Sequence, residues 1–365
     1  MIYLDNTLLW LWLHENSNIS RNKQYKLLEA FGDIESIYKS DIEDYRNFSF
    51  LSPEDINALH NKDLGACENS LKRLLDMGAR VLTTDSPDYP DMLRTIHSAP
   101  TVLYTMGSFC DFNNAFCIAM VGTRLATDYG KKTAYNIARD LSKNGVTVVS
   151  GLAAGIDAKS HEGALSAMSP TVAVTACGLD IVYPKLNSDI MKKIVKQGAV
   201  VTEYPLGSPP EKYHFPERNR IISGLCLGTV VVEADIKSGS LITSDYATEQ
   251  NRDVFAVPGN VSSSKSKGTN FLLKDGAHMI TSGRDILDFY SLAHLEEVPG
   301  TNTEFLADSP EAKILSAITE DSVHTDVICE RTGLDAGTVN ATLLMLELKG
   351  KVMKLSGGRY SSINN

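Results

Sequence analysis

Long hydrophobic runs are missing from this chain of 365 residues. The longest uninterrupted apolar stretch, residues 115–121, is far shorter than the roughly 20 residues that a membrane-spanning helix needs. The N-terminal segment is apolar, but it contains Asp5 and has no basic residue before it, which is not typical of a signal peptide. We therefore expect a cytoplasmic protein that does not associate with a membrane.

Paired cysteines are missing as well. None of the six cysteines belongs to a C-x-x-C motif, which argues against a zinc site and against a disulfide framework. The six are Cys67, Cys110, Cys117, Cys177, Cys226 and Cys329. Reduced thiols in a cytoplasmic setting are the expectation.

Catalytic and cofactor motifs are scarce. The chain has neither the G-x-G-x-x-G dinucleotide fingerprint nor the G-x-x-x-x-G-K-[ST] phosphate loop. Asp157 and His161 are one helical turn apart but lack a third metal ligand, and we expect Asp157 to cap its own loop. Glu233 is a candidate general base, although we expect it to accept hydrogen bonds from backbone N–H groups of a neighbouring loop. No cofactor, no metal and no enzyme activity are therefore predicted.

The negative charge of the chain, net −10, is unevenly distributed. Residues 1–78 contain 13 acids and 8 bases, residues 291–365 contain 11 acids and 6 bases, and residues 79–290 contain 21 of each. Exposed charges act over roughly 8–10 Å, so the net charge does not exclude a nucleic-acid site. An anionic ligand is expected in the neutral middle of the chain.

Four segments differ in their residue pattern. Residues 1–78 have helical patterns, including a Ser52-Pro53 helix start, and are predicted to form a small helical domain. Residues 79–290 alternate short apolar runs with helical patterns, and residues 291–309 form a polar linker. Residues 310–365 contain three helical stretches and a glycine-turned hairpin, a pattern typical of a winged helix.

The middle segment predicts a doubly wound α/β fold. Its apolar runs are apolar on both faces, which is typical of a mostly parallel sheet covered by helices on both sides. The predicted strands lie at 80–84, 101–105, 116–121, 146–150, 171–175, 199–203, 229–233 and 254–257. The predicted helices lie at 129–144, 156–167, 187–197, 216–225 and 240–251.

Three loops that follow predicted strands combine glycine, hydroxyl side chains and a helix start. They contain Gly122-Thr123-Arg124, Ser150-Gly151 and Ser238-Gly239-Ser240. Such loops present backbone N–H groups to an anion, and ligands of open parallel sheets bind at the carboxyl ends of the strands. The Arg124 guanidinium could hold a phosphate with two hydrogen bonds. Each loop taken alone could equally be a capped tight turn.

Residues 212–220 alternate basic with aromatic residues, a pattern that suits single-stranded nucleic acid. Cations would follow the phosphates while a ring stacks on a base. Further positive charge comes from Lys185, Lys265, Lys267 and Lys274, which could also be solvated loop lysines.

Several ordered blocks resemble the DprA/Smf family, the DNA-processing proteins of bacterial natural transformation. The blocks that carry the resemblance are VGTR (121–124), SGLAAGID (150–157), HFPERNRIISG (214–224), SGSLIT (238–243), VFAVPGN (254–260) and GTNFLLKDGA (268–277). The resemblance covers residues 85–290 strongly and the outer domains in outline. It implies an extended Rossmann-like domain that binds single-stranded DNA, forms a homodimer and loads the recombinase RecA, without catalysis.

The resemblance also implies roles for particular residues. Arg124 and Lys212 would hold phosphate, and Phe215 would stack among the bases. The remaining implied DNA-binding residues are Gly122, Thr123, Ser150, Gly151, Lys185, Arg218, Asn219, Arg220, Ser238, Gly239 and Ser240. The dimer surface would lie around residues 271–279.

Both outer domains depart from the family pattern. Residues 14–20 lack the two glycines of a helix-hairpin-helix turn, so direct DNA binding by residues 1–78 is not expected. The third helical stretch of the C-terminal segment is poor in the side chains that read base edges. We expect this winged helix to be an interaction or regulatory module.

Two other hypotheses compete with this one. The first is a nucleoside-monophosphate ribohydrolase of the lysine-decarboxylase-like Rossmann group. Those enzymes have a P-G-G-x-G-T-x-x-E motif where this chain has residues 237–244, which contain no glutamate. The second is a regulator that binds duplex DNA through residues 310–360.

Overall fold

The N-terminal segment is helical. The computed structural model describes residues 2–16, 19–109, 111–292, 309–318, 322–348, 351–355 and 357–362. The first helices are α1 (Ile2–His14), α2 (Arg21–Phe31), α3 (Ile34–Lys39), α4 (Ile42–Arg46), α5 (Pro53–His60) and α6 (Gly65–Asp76). Helix α5 begins at the predicted start, where Ser52 and Asp55 form a capping box that satisfies two backbone N–H groups. No helix in the described ranges is both long and apolar enough to cross a bilayer.

The middle segment contains a large mixed sheet. Its described strands are β1 (Ala79–Thr83), β2 (Val102–Gly107), β3 (Cys117–Val121), β4 (Thr147–Ser150), β5 (Thr171–Val174), β6 (Ala199–Thr202), β7 (Gly228–Val231), β8 (Asp253–Ala256) and β9 (His278–Met279). They are ordered β1-β2-β6-β5-β4-β3-β7-β8-β9. The strands from β6 to β9 in this order are parallel, whereas β1 and β2 pair in antiparallel fashion.

Helices connect these strands. They are α7 (Asp91–Arg94), α8 (Asp128–Lys143), α9 (Ile156–Ser166), α10 (Ser188–Gln197), α11 (His214–Gly224), α12 (Gly239–Glu249), α13 (Lys267–Lys274) and α14 (Gly283–Phe289). Every residue of β3 to β7 is buried, so both faces of the central sheet are covered. The predicted doubly wound, mostly parallel α/β fold is confirmed, and the five predicted helices agree within two residues at each end.

The strand order defines a switch point. Strands β4, β5 and β6 lie on one side of β3, whereas β7 and β8 lie on the other. The chain therefore reverses its direction of progress across the sheet between β3 and β7. In an open α/β sheet, the loops at the carboxyl ends of the strands beside such a point are the usual ligand position.

The N-terminal helices share a core with the sheet. Trp10, Leu27 and Leu74 belong to the same buried apolar cluster as Tyr104 and Val200. The predicted division at residue 78 coincides with the passage from α6 to β1, but the apolar core is continuous across it. Burial of a common core holds these helices against the sheet.

The C-terminal segment has the predicted winged-helix architecture. It consists of α15 (Pro310–Ala317), β10 (Val323–His324), α16 (Thr325–Thr332), α17 (Ala336–Leu348), β11 (Val352–Leu355) and β12 (Arg359–Ser362). Its strands are ordered β10-β12-β11. Ile314, Ile328, Val339 and Leu343 form its separate core. Most of the predicted linker, residues 293–308, lies outside the described residues.

Candidate functional site

Three strand-end loops meet at Thr123. Its N–H donates to the carbonyl of Glu233 at 2.7 Å, and its carbonyl accepts from the N–H of Ile156 at 3.3 Å. Gly122 has no room for a side chain, because a Cβ there would lie 2.6 Å from Ile156 Cγ1 and 2.9 Å from the Glu233 carbonyl oxygen. The loops after β3, β4 and β7 are thereby fixed against one another at the switch point.

A cationic and aromatic patch lies on the surface beside these loops. The Arg124 guanidinium carbon lies 5.0 Å from the centre of the Phe215 ring, within cation–π distance. The Tyr183 ring lies 5.5 Å from Phe215, centre to centre, with the ring planes inclined by 56°. Arg124 and Tyr183 are exposed, and Phe215 is half-buried. We call these three residues the Arg124 patch.

Two exposed lysines flank the patch along the chain. Lys185 follows Tyr183 by two residues, in the loop between β5 and α10. Lys212 precedes Phe215 by three residues, in the loop that leads into α11. Three of the predicted phosphate cations, Arg124 included, are therefore exposed on loops or at a helix start on the carboxyl side of the sheet.

The N-terminus of α12 lies next to α11. Ser238 caps α12, with its Oγ accepting from the Ser240 N–H at 3.4 Å. A Cβ added at Gly239 would meet no atom within 4 Å, so this turn is open to an approaching group. The Asn219 side-chain amide donates to the Gly239 carbonyl at 3.3 Å and ties the two helices together. The loop retains backbone N–H groups and a partial positive charge at its end.

Arg218 does not fit its predicted role as a DNA ligand. It is buried, and its guanidinium donates to the carbonyl of Gly151 at 2.8 Å and to that of Val174. Burial lowers its pKa to about 10, opposed by the nearby Asp157 carboxylate, so it remains a cation at neutral pH. Its positive charge holds the ends of β4 and β5 together instead of facing solvent.

Arg220, Ser150 and Gly151 are also structural. Arg220 is buried and pairs with Glu203, whose same carboxylate oxygen also lies 2.9 Å from Arg21 Nη2. The Ser150 hydroxyl is buried and donates to the Met120 carbonyl at 2.6 Å. A Cβ at Gly151 would lie 2.5 Å from Arg218 Nη2. The prediction that these residues contact nucleic acid directly therefore does not fit their placement in the structure.

The carboxylates of Glu233 and Asp157 accept hydrogen bonds from loop residues. The Glu233 oxygens accept from the Thr127 N–H at 2.9 Å and from its hydroxyl at 2.6 Å, which confirms the predicted backbone contact. Asp157 accepts from the N–H groups of Gly151 at 3.1 Å and Ala153 at 3.3 Å, so it caps its loop as predicted. Burial raises the pKa of Asp157, and Arg218 opposes that shift.

His161 is a core residue. Its Nδ1 lies 2.8 Å from the Thr171 hydroxyl, and burial lowers the pKa of its imidazole to about 3. Across the ranges that the structure describes, no three His, Cys, Asp or Glu side chains are grouped as a metal site would require. The neutral imidazole contributes to packing between α9 and β5.

Sequence reasoning missed Tyr183. Tyr183 could have been noticed, because it shares a short loop with Lys185. Its contact with Phe215 could not, because the two residues are 32 positions apart in the sequence. Arg21 was missed as the second partner of Glu203 for the same reason, since that ion pair spans 182 positions.

Comparisons with known proteins match this architecture. Residues 80–291 match the family model of DNA recombination-mediator protein A, and residues 299–358 match the DprA winged helix domain. Protein Smf of Synechocystis sp. is 38% identical over 314 residues, which are 76% of this chain and 79% of that protein.

Two solved structures are similar. The X-ray structure of DprA from Streptococcus pneumoniae has a TM-score of 0.70 and 32% identity, covering 80% of this chain and 98% of that one. A structure of DNA processing protein A from Helicobacter pylori, described by its single-stranded DNA binding mode, has a TM-score of 0.52 and 31% identity. That likeness covers 58% of this chain and 95% of the other.

Proposed function

Because this chain belongs to the DprA/Smf family of DNA recombination-mediator proteins, we propose that it binds single-stranded DNA and loads RecA onto the strand during natural transformation. The family resemblance found in the sequence is confirmed. The relative from Helicobacter pylori is described as a single-stranded DNA binder, which supports the same ligand here.

The observation that carries the proposal is the contact between Arg124 and Phe215 on an exposed surface at the switch point. A guanidinium over one ring, with a second ring from Tyr183 beside it, offers a cation for phosphate and flat faces for bases. Bases in a duplex are already stacked on both sides, so such rings select an unpaired strand. Arg124, Lys185 and Lys212 hold phosphates, and Phe215 stacks on a base.

Backbone groups complete the proposed phosphate contacts. The open turn at Gly239, capped by Ser238, presents the N–H groups of the α12 N-terminus. Ser240, a predicted DNA ligand, is buried with its hydroxyl 2.7 Å from that of Ser238, so it supports this turn instead of facing the strand. Thr123 and Gly122 shape the loop that carries Arg124. Asn219 positions the α12 turn through its hydrogen bond to the Gly239 carbonyl. These contacts recognise phosphate and no particular base, so binding is independent of sequence.

A non-catalytic role agrees with the carboxylates near the site. Both oxygens of Glu233 accept hydrogen bonds from Thr127, and Asp157 accepts two backbone hydrogen bonds. A general base must lie within hydrogen-bond reach of a substrate proton, and both of these carboxylates are buried. Incubation with AMP, followed by chromatography for free adenine, tests the ribohydrolase hypothesis, and released adenine would contradict the non-catalytic role.

We place a homodimer contact at the β9 edge of the sheet. Phe271 is 50% exposed and Met279 is 65% exposed, and β9 is the last strand in the sheet order. A second copy would cover these apolar groups and the open strand edge. Sedimentation of the wild type and of Met279→Glu tests this, because a charge there should shift the protein to a monomer.

The winged helix is assigned an interaction role. Helix α17 contains no lysine or arginine and exposes Leu344 and Met345, which suits a protein partner better than a DNA groove. Deletion of residues 310–365 should therefore leave single-strand affinity intact. Loss of all DNA binding on deletion would support the duplex-regulator hypothesis instead.

Binding and RecA loading are tested separately. We expect a gel shift with labelled oligothymidine and none with a duplex of equal length, and we expect Arg124→Ala and Lys212→Ala to weaken the shift. Wild-type affinity in both variants would reject the proposed pocket. RecA filament assembly is then measured by ATP hydrolysis on strands precoated with the protein, and no acceleration would reject the loading role.

A further inference from the structure

A second group of exposed apolar side chains begins at the switch point, where Leu125 follows Arg124, and extends to the side away from Tyr183. Leu125 is 78% exposed, Ile236 is 49% exposed and Val261 is 85% exposed. They belong to the loops after β3, β7 and β8, which are consecutive neighbours in the sheet. Exposed apolar groups collected along one edge mark a surface that binds another molecule.

These loops are held in place by hydrogen bonds. The Gly268 N–H at the start of α13 donates to the Ala234 carbonyl at 2.8 Å, and a Cβ at Gly268 would lie 2.7 Å from the Asp235 carbonyl oxygen. The Tyr129 hydroxyl of α8 donates to the Pro258 carbonyl at 3.1 Å. The loops after β7 and β8 therefore form a continuous edge with the helix that follows the Arg124 loop.

Positive charge accompanies the apolar groups. Lys237 is exposed beside Ile236, and Lys265 lies four residues after Val261 in a segment, residues 259–274, that contains three lysines and no acid. Asp235 is an exposed acid that directly precedes Ile236 in the same loop, and it offsets part of this positive charge. A surface that alternates cations with apolar groups complements a polyanion whose bases and sugars have apolar faces.

We propose that Leu125, Ile236, Lys237, Val261 and Lys265 form a second subsite for the same DNA strand, which we call the β8 subsite. This inference rests on the proposed single-strand function. In the sheet, β5 and β8 are separated by β4, β3 and β7, which makes four intervals between neighbouring strands. Neighbouring strands lie about 4.8 Å apart, so β5 and β8 are about 19 Å apart. The DNA strand crosses the carboxyl edge of the sheet from the Arg124 patch to the β8 subsite.

The length of the oligonucleotide tests this proposal. Fluorescence anisotropy compares oligothymidines of about four and about twelve nucleotides, within the range of ordinary single-strand sites. We expect the wild type to bind the longer strand at least tenfold more tightly. The variant Lys237→Ala/Lys265→Ala should bind the short strand as the wild type does and lose most of that gain. Its salt slope on the longer strand should fall by about 1.4, since each phosphate contact contributes about 0.7.

Two further variants sharpen the outcome. Val261→Ser should weaken binding of the longer strand about threefold without changing the salt slope, because it removes an apolar contact and no charge. Lys192→Ala, an exposed lysine of α10 paired with Asp189, is the matched control and should have no effect. A double variant that binds the longer strand with wild-type affinity and slope overturns the β8 subsite. A wild type that binds neither strand overturns the proposed function itself.

Discussion

Removing Arg124 or Phe215 should weaken single-strand binding in ways that salt can tell apart. Phe215→Leu keeps an apolar side chain but removes the ring, and base stacking on a ring is worth about 1–3 kcal/mol. That range corresponds to roughly 5- to 150-fold in Kd. Arg124→Ala removes a charged hydrogen-bond donor, worth about 1.5–3 kcal/mol, and one phosphate contact. The salt slope should therefore fall by about 0.7 for Arg124→Ala and stay unchanged for Phe215→Leu.

The double variant measures how far the two residues act together. The guanidinium carbon lies 5.0 Å from the ring centre, a separation at which an exposed cation–π contact contributes about 0.5–1 kcal/mol. Because Phe215 holds the guanidinium in place, the two single losses should exceed the double loss by about that amount.

The assay is anisotropy of a labelled oligothymidine over a series of salt concentrations. Arg284→Ala is the matched control, since Arg284 is an exposed arginine of α14 paired with Asp288 at 2.9 Å. Thermal unfolding of each variant checks that the fold is intact. Equal salt slopes in Arg124→Ala and the wild type, together with unchanged affinity in Phe215→Leu, would refute the reasoning.

Three other predictions concern stability and the buried groups. Arg218→Ala should lower the free energy of unfolding, measured by urea titration, by about 3–5 kcal/mol, because it leaves the Asp157 carboxylate without its buried cation. A variant that is as stable as the wild type but no longer binds DNA would show that Arg218 is a DNA ligand after all. Gly151→Ala should also destabilise, since its Cβ would lie 2.5 Å from the Arg218 guanidinium, and an unchanged melting temperature would contradict this packing. The imidazole of His161 has a folded pKa of about 3 and an unfolded value of 6.5, so the unfolded state takes up the proton first as pH falls. Between pH 6.5 and about pH 3, the contribution of His161 to stability should fall by about 1.4 kcal/mol per pH unit. His161→Leu should reduce the dependence of stability on pH in that range, and an equal slope in both proteins would show that His161 is not responsible.

The secondary structure could be predicted from local patterns. Apolar runs such as 146–150 and 229–233 became buried strands, and the Ser52-Pro53 start became the capped α5. The antiparallel direction of β1 and β2 could not be predicted, because a short apolar run indicates a strand but does not specify which strand it pairs with or in which direction. The two-residue β9 is too short to have a periodic signal.

The candidate site was predictable in part. The glycine-rich loops and the basic and aromatic segment pointed to the switch point, and Arg124 and Phe215 do lie in contact there. The pairing of Tyr183 with Phe215 and the shared carboxylate of Arg21 and Arg220 were not predictable. Each of these contacts joins side chains whose separation along the chain carries no periodic signal.

By itself, the sequence determined the fold class, the family and the position of the glycine-containing loops at the strand ends, because these depend on short-range patterning and ordered motifs. Tertiary structure alone decided which arginine is a candidate ligand. Arg124, Arg218 and Arg220 have the same chemistry, but Arg218 is buried against Gly151 and Arg220 against Glu203, so Arg124 alone of the three faces solvent. Burial is set by neighbours from distant parts of the chain, and a guanidinium that is buried beside protein carbonyls or paired with a buried carboxylate is not presented to a phosphate in solvent.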